Sequence, residues 1–344
     1  MEAALEHLFA EIHWTLLAFA IAVSLFVLGK GADWLVDEAV ELSERLKIPQ
    51  MVVGATIVSL GTTAPEAAVS VFAAIQGAPG LALGNAVGSV ITDTGLILGL
   101  ACLIAPLRLD PKIVNRQGWI QLGAGFLLVL LAIPLANPGD VFVSGGRVSQ
   151  LSGFLLIALL AAYLYFSVRW ARGGRATEED DHEAGSPTWI PVLKLLGAVA
   201  IVVVSAQVLI PAVNEAALRL SVPESVIAAT LVAFGTSLPE LVTAITAARR
   251  GHGELAVGNV IGADILNVLF VVGMAAAVTP LGLEASTNFF TVLFPAMLFI
   301  LIMFRVGVIV SGDVLRRPFG YLLITAYVVY MVAGYYLLPG GAPG

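Results

Sequence analysis

The chain has 344 residues, of which 59% are hydrophobic and only 12% are charged, and its mean hydropathy is +0.96. Soluble domains carry roughly 25% charged residues, so this composition excludes a soluble globular protein and predicts an integral membrane protein. The formal net charge of -7 comes from acids divided between loops, one hydrophilic segment and apolar spans, and no basic tract indicates nucleic acid. We expect no cofactor and no obligatory protein partner.

The ends and the single cysteine give little further information. The first residues lack the basic start of a cleaved signal, so we expect the N-terminus to be mature chain. Cys102 lies in an apolar run and is predicted to be core, which leaves no intramolecular disulfide and no cysteine-rich metal site. The histidines, which have no metal-ligand spacing, are expected in loops or at the membrane interface. They are His7, His13, His182 and His252.

Apolar segments of about 20 residues, the length that ~30 Å of hydrocarbon requires, recur along the chain and predict ten transmembrane helices. They lie near 12–40, 50–76, 80–104, 117–136, 149–170, 188–214, 223–249, 254–280, 286–307 and 319–338. The first span contains Lys30, Asp33 and Asp37, which we interpret as an internal pair or as polar groups beside a water-filled face, with ion ligation as the alternative.

A hydrophilic segment at 175–188 divides the spans into two groups of five. We expect a first five-helix unit at 1–172, a linker at 173–187 and a second unit at 188–344. The acidic run at 178–181 within the linker is typical of a solvated loop, with binding of a regulatory cation as the alternative.

Lysines and arginines collect on one side of the predicted membrane, which sets the orientation because cytoplasmic loops attract them. The opposite side has only Arg147 and Arg219. Both termini are therefore predicted outside and the 175–188 loop in the cytoplasm. We expect the protein in the inner membrane of a prokaryotic cell.

The region at about 50–100 recurs at about 224–273, at an offset of 174 residues. The offset aligns "GTTAPE" (61–66) with "GTSLPE" (235–240), and "GNAVGS" (84–89) with "GNVIGA" (258–263). An odd number of predicted spans separates the copies, so they cross the membrane in opposite directions. Inverted repeats of this kind are typical of secondary transporters, whose site lies near the midplane.

The repeated motif supplies oxygen atoms inside a span. Pro65 and Pro239 have no N–H, so the carbonyls of Gly61 and Gly235 lose their helical partners. Such carbonyls are tolerated in a membrane only where protein, water or an ion satisfies them. Beside them stand further hard oxygen ligands, which sodium and calcium prefer: Thr62, Thr63, Glu66, Thr236, Ser237 and Glu240.

A structural interpretation of the same residues is a capping box, in which a glutamate caps the N-terminus of a half-helix. The duplication of a carboxylate that is costly to bury unpaired favours the functional interpretation. Capping and ligation are compatible with each other.

The second part of each repeat adds polar groups to an apolar helix. Asp93 and Asn267 occupy equivalent positions, and we expect Asp93 to face the site. We expect Asp264 to line an aqueous access path or to pair structurally, with ligation as a further alternative. Asn85 and Asn259 are interpreted as amides that hydrogen-bond an opened helix, with ligation as the alternative. The glycines Gly84, Gly88, Gly258 and Gly262 form small-xxx-small faces for close helix packing.

These paired motifs resemble the α-repeats of the calcium/cation antiporter superfamily, specifically prokaryotic sodium/calcium exchangers. The resemblance covers the whole ten-span layout. It implies calcium and sodium as transported ions, with Glu66 and Glu240 as shared carboxylates. It further implies oxygen ligands from Thr62, Thr63, Thr236, Ser237, Ser89, Asp93 and Asn267, and from the carbonyls of Ser59 and Ala233.

Two positions depart from the pattern of the archaeal exchangers in this family. Those exchangers have Asn in the first repeat and Asp in the second, whereas this chain has Asp93 first and Asn267 second. Ala263 stands where a serine ligand is expected and aligns with Ser89. The second departure removes one hydroxyl from the sodium sites.

The sequence thus predicts an all-α polytopic membrane protein with broken central helices that exports calcium in exchange for sodium. The alternative within the same fold is calcium/proton exchange, because carboxylates bind either ion. An intramembrane hydrolase would need a Ser/His pair or two facing aspartates, for which only Asp93 with Asp264 qualifies. A non-transporting receptor would not require a duplicated broken helix.

Overall fold

The computed structural model describes residues 2–134, 137–173, 189–220 and 235–337. These residues are almost entirely helical. The helices are α1 (Glu2–Glu11), α2 (Trp14–Leu46), α3 (Gln50–Thr62), α4 (Ala64–Ile75), α5 (Pro79–Ile104), α6 (Pro111–Ala132), α7 (Gln150–Gly173), α8 (Trp189–Arg219), α9 (Leu238–Arg249), α10 (Gly253–Val278), α11 (Phe289–Ser311) and α12 (Arg317–Leu337). A short 3₁₀ turn spans Pro138–Phe142.

The described helices are long and apolar enough to make this an integral membrane protein. Six of them, α2, α5, α7, α8, α10 and α11, qualify as membrane spans by length and composition. The pair α3 and α4 qualifies as a seventh span if it is counted as one bent unit, with 44° between its parts. The first central helix is therefore broken, as predicted, while the total of ten spans stays a prediction.

Two short β-ribbons join loops of the first half to loops of the second, and the all-α prediction did not include them. Strand β1 (Leu107–Arg108) pairs antiparallel with β4 (Val314–Leu315). Strand β2 (Gly146–Val148) pairs antiparallel with β3 (Leu283–Ala285). Each ribbon ties the ends of helices that are far apart in sequence, and so it fixes one half against the other.

Helices α5 and α10 have the same internal construction. Each starts as an α-helix, widens into a π-helical segment and returns to α, and the segments are Asp93–Ile97 and Asn267–Val272. A third π segment, Gly54–Val58, lies within α3. π segments are rare and concentrate at functional sites, because the extra residue turns neighbouring side chains to a new direction. The periodicity of the sequence did not predict them.

The break between α3 and α4 follows from proline chemistry. Pro65 occupies the first turn of α4, where a missing N–H is tolerated, and Pro239 has the same place in α9. The residue segment 221–234, which precedes α9 and contains the predicted ligand Ala233, lies outside the described residues.

Helix α10 crosses the broken helix α3 almost backbone to backbone. A methyl group added to Gly262 would meet Ala55 and Ser59, and one added to Gly258 would overlap the Met51 backbone. A methyl group on Gly54 would in turn lie 2.8 Å from the Leu255 carbonyl. The predicted packing role of Gly258 and Gly262 is therefore confirmed for these two glycines.

The corresponding glycines of the first repeat lie in a different environment. A methyl group on Gly84 would meet only the Phe289 ring, at 3.8 Å, and one on Gly88 would meet nothing within 4 Å among the described residues. By the repeat offset, their expected packing partner falls within 221–234, outside the described residues.

Helix α2 packs along α8 to form a pair beside the core. Lys194 of α8 reaches Glu38 and Glu41 of α2 at 3.5 and 3.9 Å. The predicted polar group of the first span is less internal than expected, because Lys30 and Asp33 are 3.8 Å apart on an exposed face. Its third member, Asp37, pairs with Arg250 in the α9–α10 loop, so it contacts the core from outside.

The remaining interpretations from the sequence fit this architecture. Cys102 is buried in the core and is a free thiol. His7 lies near Glu11 at an exposed position, His13 caps α2, and His252 contacts Gln50 in the α9–α10 loop. His182 and the acidic run of the linker lie outside the described residues.

The close crossing of α3 and α10 generates a stability prediction. We expect Gly262→Ala to lower the free energy of unfolding by about 1–3 kcal/mol, because a methyl group there forces two backbones apart. Gly123→Ala is the matched control, since this exposed glycine of α6 has open space around it. Thermal unfolding of the purified protein in detergent measures both, and equal melting temperatures for the two variants would contradict the prediction.

Candidate functional site

Two fully buried carboxylates, Glu66 and Glu240, form the centre of the site. Each lies in the first turn of the helix that follows a break, α4 for Glu66 and α9 for Glu240. The N-terminal end of a helix carries roughly half a positive charge, which favours an acidic side chain at this position. The two prolines that precede them thus place both acids in a stabilising field.

The carboxylates are held by hydroxyls from both halves of the chain. Glu66 Oε1 accepts hydrogen bonds from Ser89 Oγ at 2.7 Å and from Ser237 Oγ at 3.0 Å. Glu240 Oε1 accepts one from Thr63 Oγ1 at 3.2 Å. Each motif therefore donates its hydroxyl to the glutamate of the other motif, and the site exists only where the halves meet.

The capping-box interpretation of these motifs is wrong for the described structure. Thr63 and Ser237 precede α4 and α9 at the N-cap position, but neither side chain makes a capping hydrogen bond. Their hydroxyls bind the opposite glutamates instead. The second oxygens of Glu66 and Glu240 are buried and have no hydrogen-bond partner among the described residues.

Asp93 and Asn267 both lie at the first residue of a π segment and are fully buried. Neither polar group has a regular hydrogen bond within the described residues, although the Asn267 amide lies against Glu66. The charged neighbours of Asp93 are Glu66, Asp264 and Glu240. The structure thus brings Asp93 close to both glutamates and Asn267 against Glu66.

Other predicted oxygen ligands beside this centre already take part in hydrogen bonds within α3. Thr62 Oγ1 donates to the Ser59 carbonyl at 3.3 Å, and the same carbonyl accepts the Thr63 amide at 2.8 Å. Two donors therefore already occupy the Ser59 carbonyl that was predicted to face an ion. Ser59 Oγ donates to the Thr56 carbonyl at 3.3 Å.

The two equivalent asparagines have different partners. Asn85 Nδ2 donates to Ser70 Oγ at 3.0 Å, and Thr236 Oγ1 donates to Asn85 Oδ1 at 3.4 Å. This geometry agrees with an amide that supports the broken helix. Asn259 is fully buried and its amide has no partner among the described residues. The residue equivalent to Ser70 in the second half is Ala244, which explains the difference.

Asp264 lies beside this centre with partners that the sequence did not indicate. Its Oδ2 accepts hydrogen bonds from Thr94 Oγ1 and from Gln121 Nε2. Gln117, one turn earlier on α6, is also fully buried and lacks a partner among the described residues. The two amides on α6 could have indicated a buried polar partner, but they lie outside the repeated motif.

Tyr163 is another contributor that sequence reasoning missed. Its hydroxyl on α7 donates to the Ala55 carbonyl in the π segment of α3, at 2.9 Å. This bond satisfies a backbone group in the widened part of the helix, where regular pairing is disturbed. Tyrosine in an apolar span gave no pattern from which this partner could be inferred.

The site offers carboxylate, hydroxyl, amide and carbonyl oxygens, the atoms that bind hard cations. No three Asp, Glu, His or Cys side chains in the described part of the chain gather closely enough to hold a metal ion by themselves. An ion bound here would therefore use neutral oxygens together with the acids. A buried site of this kind at a helix break, inside a bundle of apolar spans, is typical of the class of membrane cation transporters.

Comparison with known proteins identifies the family. The sequence signature described as "Sodium/calcium exchanger protein" matches residues 16–169 and again 190–336. The chain belongs to this family, whose members are transporters, and it is not an enzyme. The hydrolase hypothesis is therefore wrong, and Asp93 and Asp264 are not a catalytic pair.

Individual relatives are similar over nearly their whole length. The chain is 30% identical over 347 residues to the sodium/calcium exchanger MaX1 of Methanosarcina acetivorans, with 92% of this chain and 98% of the relative covered. It is 32% identical over 336 residues to the inner membrane protein YrbG of Escherichia coli, with 94% and 98% covered. A solved structure of the sodium-calcium exchanger NCX_Mj matches with a TM-score of 0.77 at 26% identity, covering 93% of this chain and 99% of that chain.

The shared oxygen of Glu66 generates a prediction about coupling between hydroxyls. We expect Ser89→Ala and Ser237→Ala each to weaken calcium binding roughly 10-fold, because a hydrogen bond to a charged group contributes about 1.5–3 kcal/mol. The double variant should deviate from additivity by at least about 0.5 kcal/mol, because both donors bind one oxygen. Calcium titrations of the four proteins by calorimetry measure the cycle, and strict additivity would count against a shared acceptor.

Proposed function

We propose that this protein is a secondary active antiporter that exchanges calcium for sodium by alternating access. The observation that carries the proposal is the reciprocal pairing of Glu66 with Ser237 and of Glu240 with Thr63. It supports a single composite site built from both halves. MaX1 and NCX_Mj, which are named as sodium/calcium exchangers, resemble the chain over more than nine-tenths of its length.

The proposed architecture has ten transmembrane helices in two inverted five-helix repeats, at 1–172 and 188–344, joined by a cytoplasmic linker at 173–187. The common construction of α5 and α10 and the double match of the family signature support the repeat. The asymmetric distribution of Lys and Arg supports external termini. We place the protein in a prokaryotic inner membrane, because its relative YrbG is described as an inner membrane protein.

The proposed ligands are the side-chain oxygens that meet at this interface. Glu66 and Glu240 serve both ions, and the hydroxyl and amide groups complete the coordination that calcium requires, since calcium takes six to eight oxygens. The full set is Glu66, Glu240, Asp93, Asn267, Thr62, Thr63, Thr236, Ser237 and Ser89, with the Ser59 and Ala233 carbonyls for sodium.

Buried charge explains why such a site would exchange ions and not leak them. Carboxylates in a dry protein interior are costly unless cations neutralise them. The helices that move during transport would have to slide past the core while the site is filled, either by one calcium ion or by several sodium ions. The α2–α8 pair, which packs beside the core and is held to it by Arg250, is the proposed moving element.

One observation favours protons as the alternative coupling ion. Ala263 is fully buried next to the site, at the position equivalent to Ser89, and so provides no hydroxyl where the first half provides one. Fewer neutral oxygens weaken a sodium site, whereas carboxylates still accept protons.

The coupling ion can be measured directly in proteoliposomes. We expect an imposed sodium gradient to drive calcium uptake and a pH gradient without sodium to drive none, because the oxygen set suits a small hard cation. Calcium flux is followed with an indicator dye or with radioactive calcium. Uptake that follows the pH gradient and ignores sodium would replace our proposal with calcium/proton exchange.

The two glutamates should both be essential for transport. Glu66→Gln and Glu240→Gln are each expected to lower calcium flux about 100-fold, because loss of a buried charge partner costs on the order of 3 kcal/mol. Glu44→Gln, at an exposed position near the end of α2, is the matched control and should transport normally. Near-normal flux in either core variant, at equal amounts of folded protein, would refute the assigned roles.

A further inference from the structure

Asp264 adds a fourth acid to the core, with its own supporting groups. The side chain is 2% exposed, and its Oδ2 accepts hydrogen bonds from Thr94 Oγ1 and Gln121 Nε2. Gln121 Nε2 also donates to Thr94 Oγ1 at 3.1 Å, which closes a triangle of three buried side chains. The other carboxylate oxygen, Oδ1, is buried and has no hydrogen-bond partner among the described residues.

Asp93 directly precedes Thr94 in the π segment of α5. Asp264 is one of its charged neighbours. Both Asp93 oxygens are buried and lack a regular hydrogen bond within the described residues. Three carboxylate oxygens without a regular hydrogen bond, two from Asp93 and one from Asp264, thus belong to a pair of interacting acids, and the Ser237 hydroxyl lies close to Asp93.

The charges of the core do not balance with calcium alone. Glu66, Asp93, Glu240 and Asp264 are four buried acids, and no Lys or Arg in the described part of the chain forms an ion pair with any of them. One calcium ion offsets two negative charges. The N-termini of α4 and α9 contribute roughly half a positive charge each. About one negative charge therefore remains, and a further monovalent cation bound beside these acids would offset it.

The Asp264 group joins both halves, and it has no symmetry-related counterpart. By the repeat offset, Asp264 aligns with Val90, Thr94 with Val268 and Gln121 with Pro295, so the apolar equivalents cannot bind an ion. The group is therefore an addition to the duplicated site and not one of its two copies. The chain also differs from the symmetric pattern at Ala263, directly before Asp264, where a hydroxyl is absent.

We propose that Asp264, Asp93 and Thr94 form an additional site for one monovalent cation of the size of sodium, and that Gln121 is the residue that positions Asp264. The inference rests on the proposed exchange function and adds to its ion count. The site has few free oxygens, which suits a monovalent ion better than calcium with its six to eight ligands. Sodium bound there shares Asp93 with the main site and remains in place while calcium occupies that site.

The first test counts ions on the purified wild-type protein and does not depend on transport. Radioactive sodium binding is measured in detergent at saturating calcium. We expect about one equivalent of sodium to remain bound, and Asp264→Asn to abolish it. Complete displacement of sodium by calcium from the wild-type protein would overturn the additional site, whatever the protein transports.

The second test uses the sodium dependence of calcium flux in proteoliposomes. We expect Asp264→Asn to lower the sodium Hill coefficient by about one while the apparent calcium affinity changes less than ~3-fold. Asp264→Glu keeps the carboxylate and should retain the wild-type Hill coefficient. Glu254→Gln, an acid in the first turn of the same helix, is the matched control and should behave as wild type.

Gln121→Leu tests whether Gln121 positions Asp264. It also provides a second variant if Asp264→Asn does not fold. It should raise the sodium concentration for half-maximal flux about 10-fold and leave the calcium affinity unchanged. An unaltered sodium response in Asp264→Asn and Gln121→Leu, or an equal loss of calcium and sodium affinity, would overturn the inference. Wild-type protein without any sodium-driven calcium flux would instead refute the proposed function.

Discussion

The structure depends on one electrostatic constraint, which is that acids without basic partners lie in the dry centre of a membrane bundle. Such groups are tolerated only where hydrogen bonds, helix ends or bound cations compensate their charge. Glu66 and Glu240 have the first two kinds of compensation, through hydroxyls and through the N-termini of α4 and α9. Their remaining unpaired oxygens are the structural reason to expect the third.

This constraint also explains the close packing around the site. Helix α10 contacts α3 through glycines, so that two broken or widened helices approach without intervening side chains. Short distances allow a hydroxyl of one motif to reach the acid of the other. The β-ribbons hold the loops of the two halves together at their ends. Close approach and oxygen coordination are therefore two consequences of the same arrangement.

The two repeats differ at several positions of the site. A duplicated site would be symmetric if both copies kept the same residues, but Asp93 corresponds to Asn267, and Ser89 corresponds to Ala263. The triangle around Asp264 joins the two halves and has no counterpart at the repeat-equivalent positions. Because the charge of the core sets the number of cations that bind, these few positions bear on ion stoichiometry more directly than the repeated motif does.

Much of this could be predicted from the sequence because a membrane imposes strong rules. Apolar length indicates spans, and a proline with hydroxyls and an acid inside a span indicates a break. The repeat offset made Asp93 equivalent to Asn267, and the structure brings Asp93 to both glutamates and Asn267 to Glu66. The capping-box interpretation of Thr63 and Ser237 was wrong, because local sequence cannot tell whether a hydroxyl binds its own helix or a distant one.

The sequence by itself determined the membrane environment, the broken helix, the repeated motif and the identity of the central acids. Only the tertiary structure decided the hydrogen-bond partners of those acids, the π segments that hold Asp93 and Asn267, and the grouping of Asp264 with Gln121. Periodicity and motifs report interactions between residues close in the chain. The contact between Gln121 and Asp264 joins residues 143 positions apart, so it depends on how the helices pack.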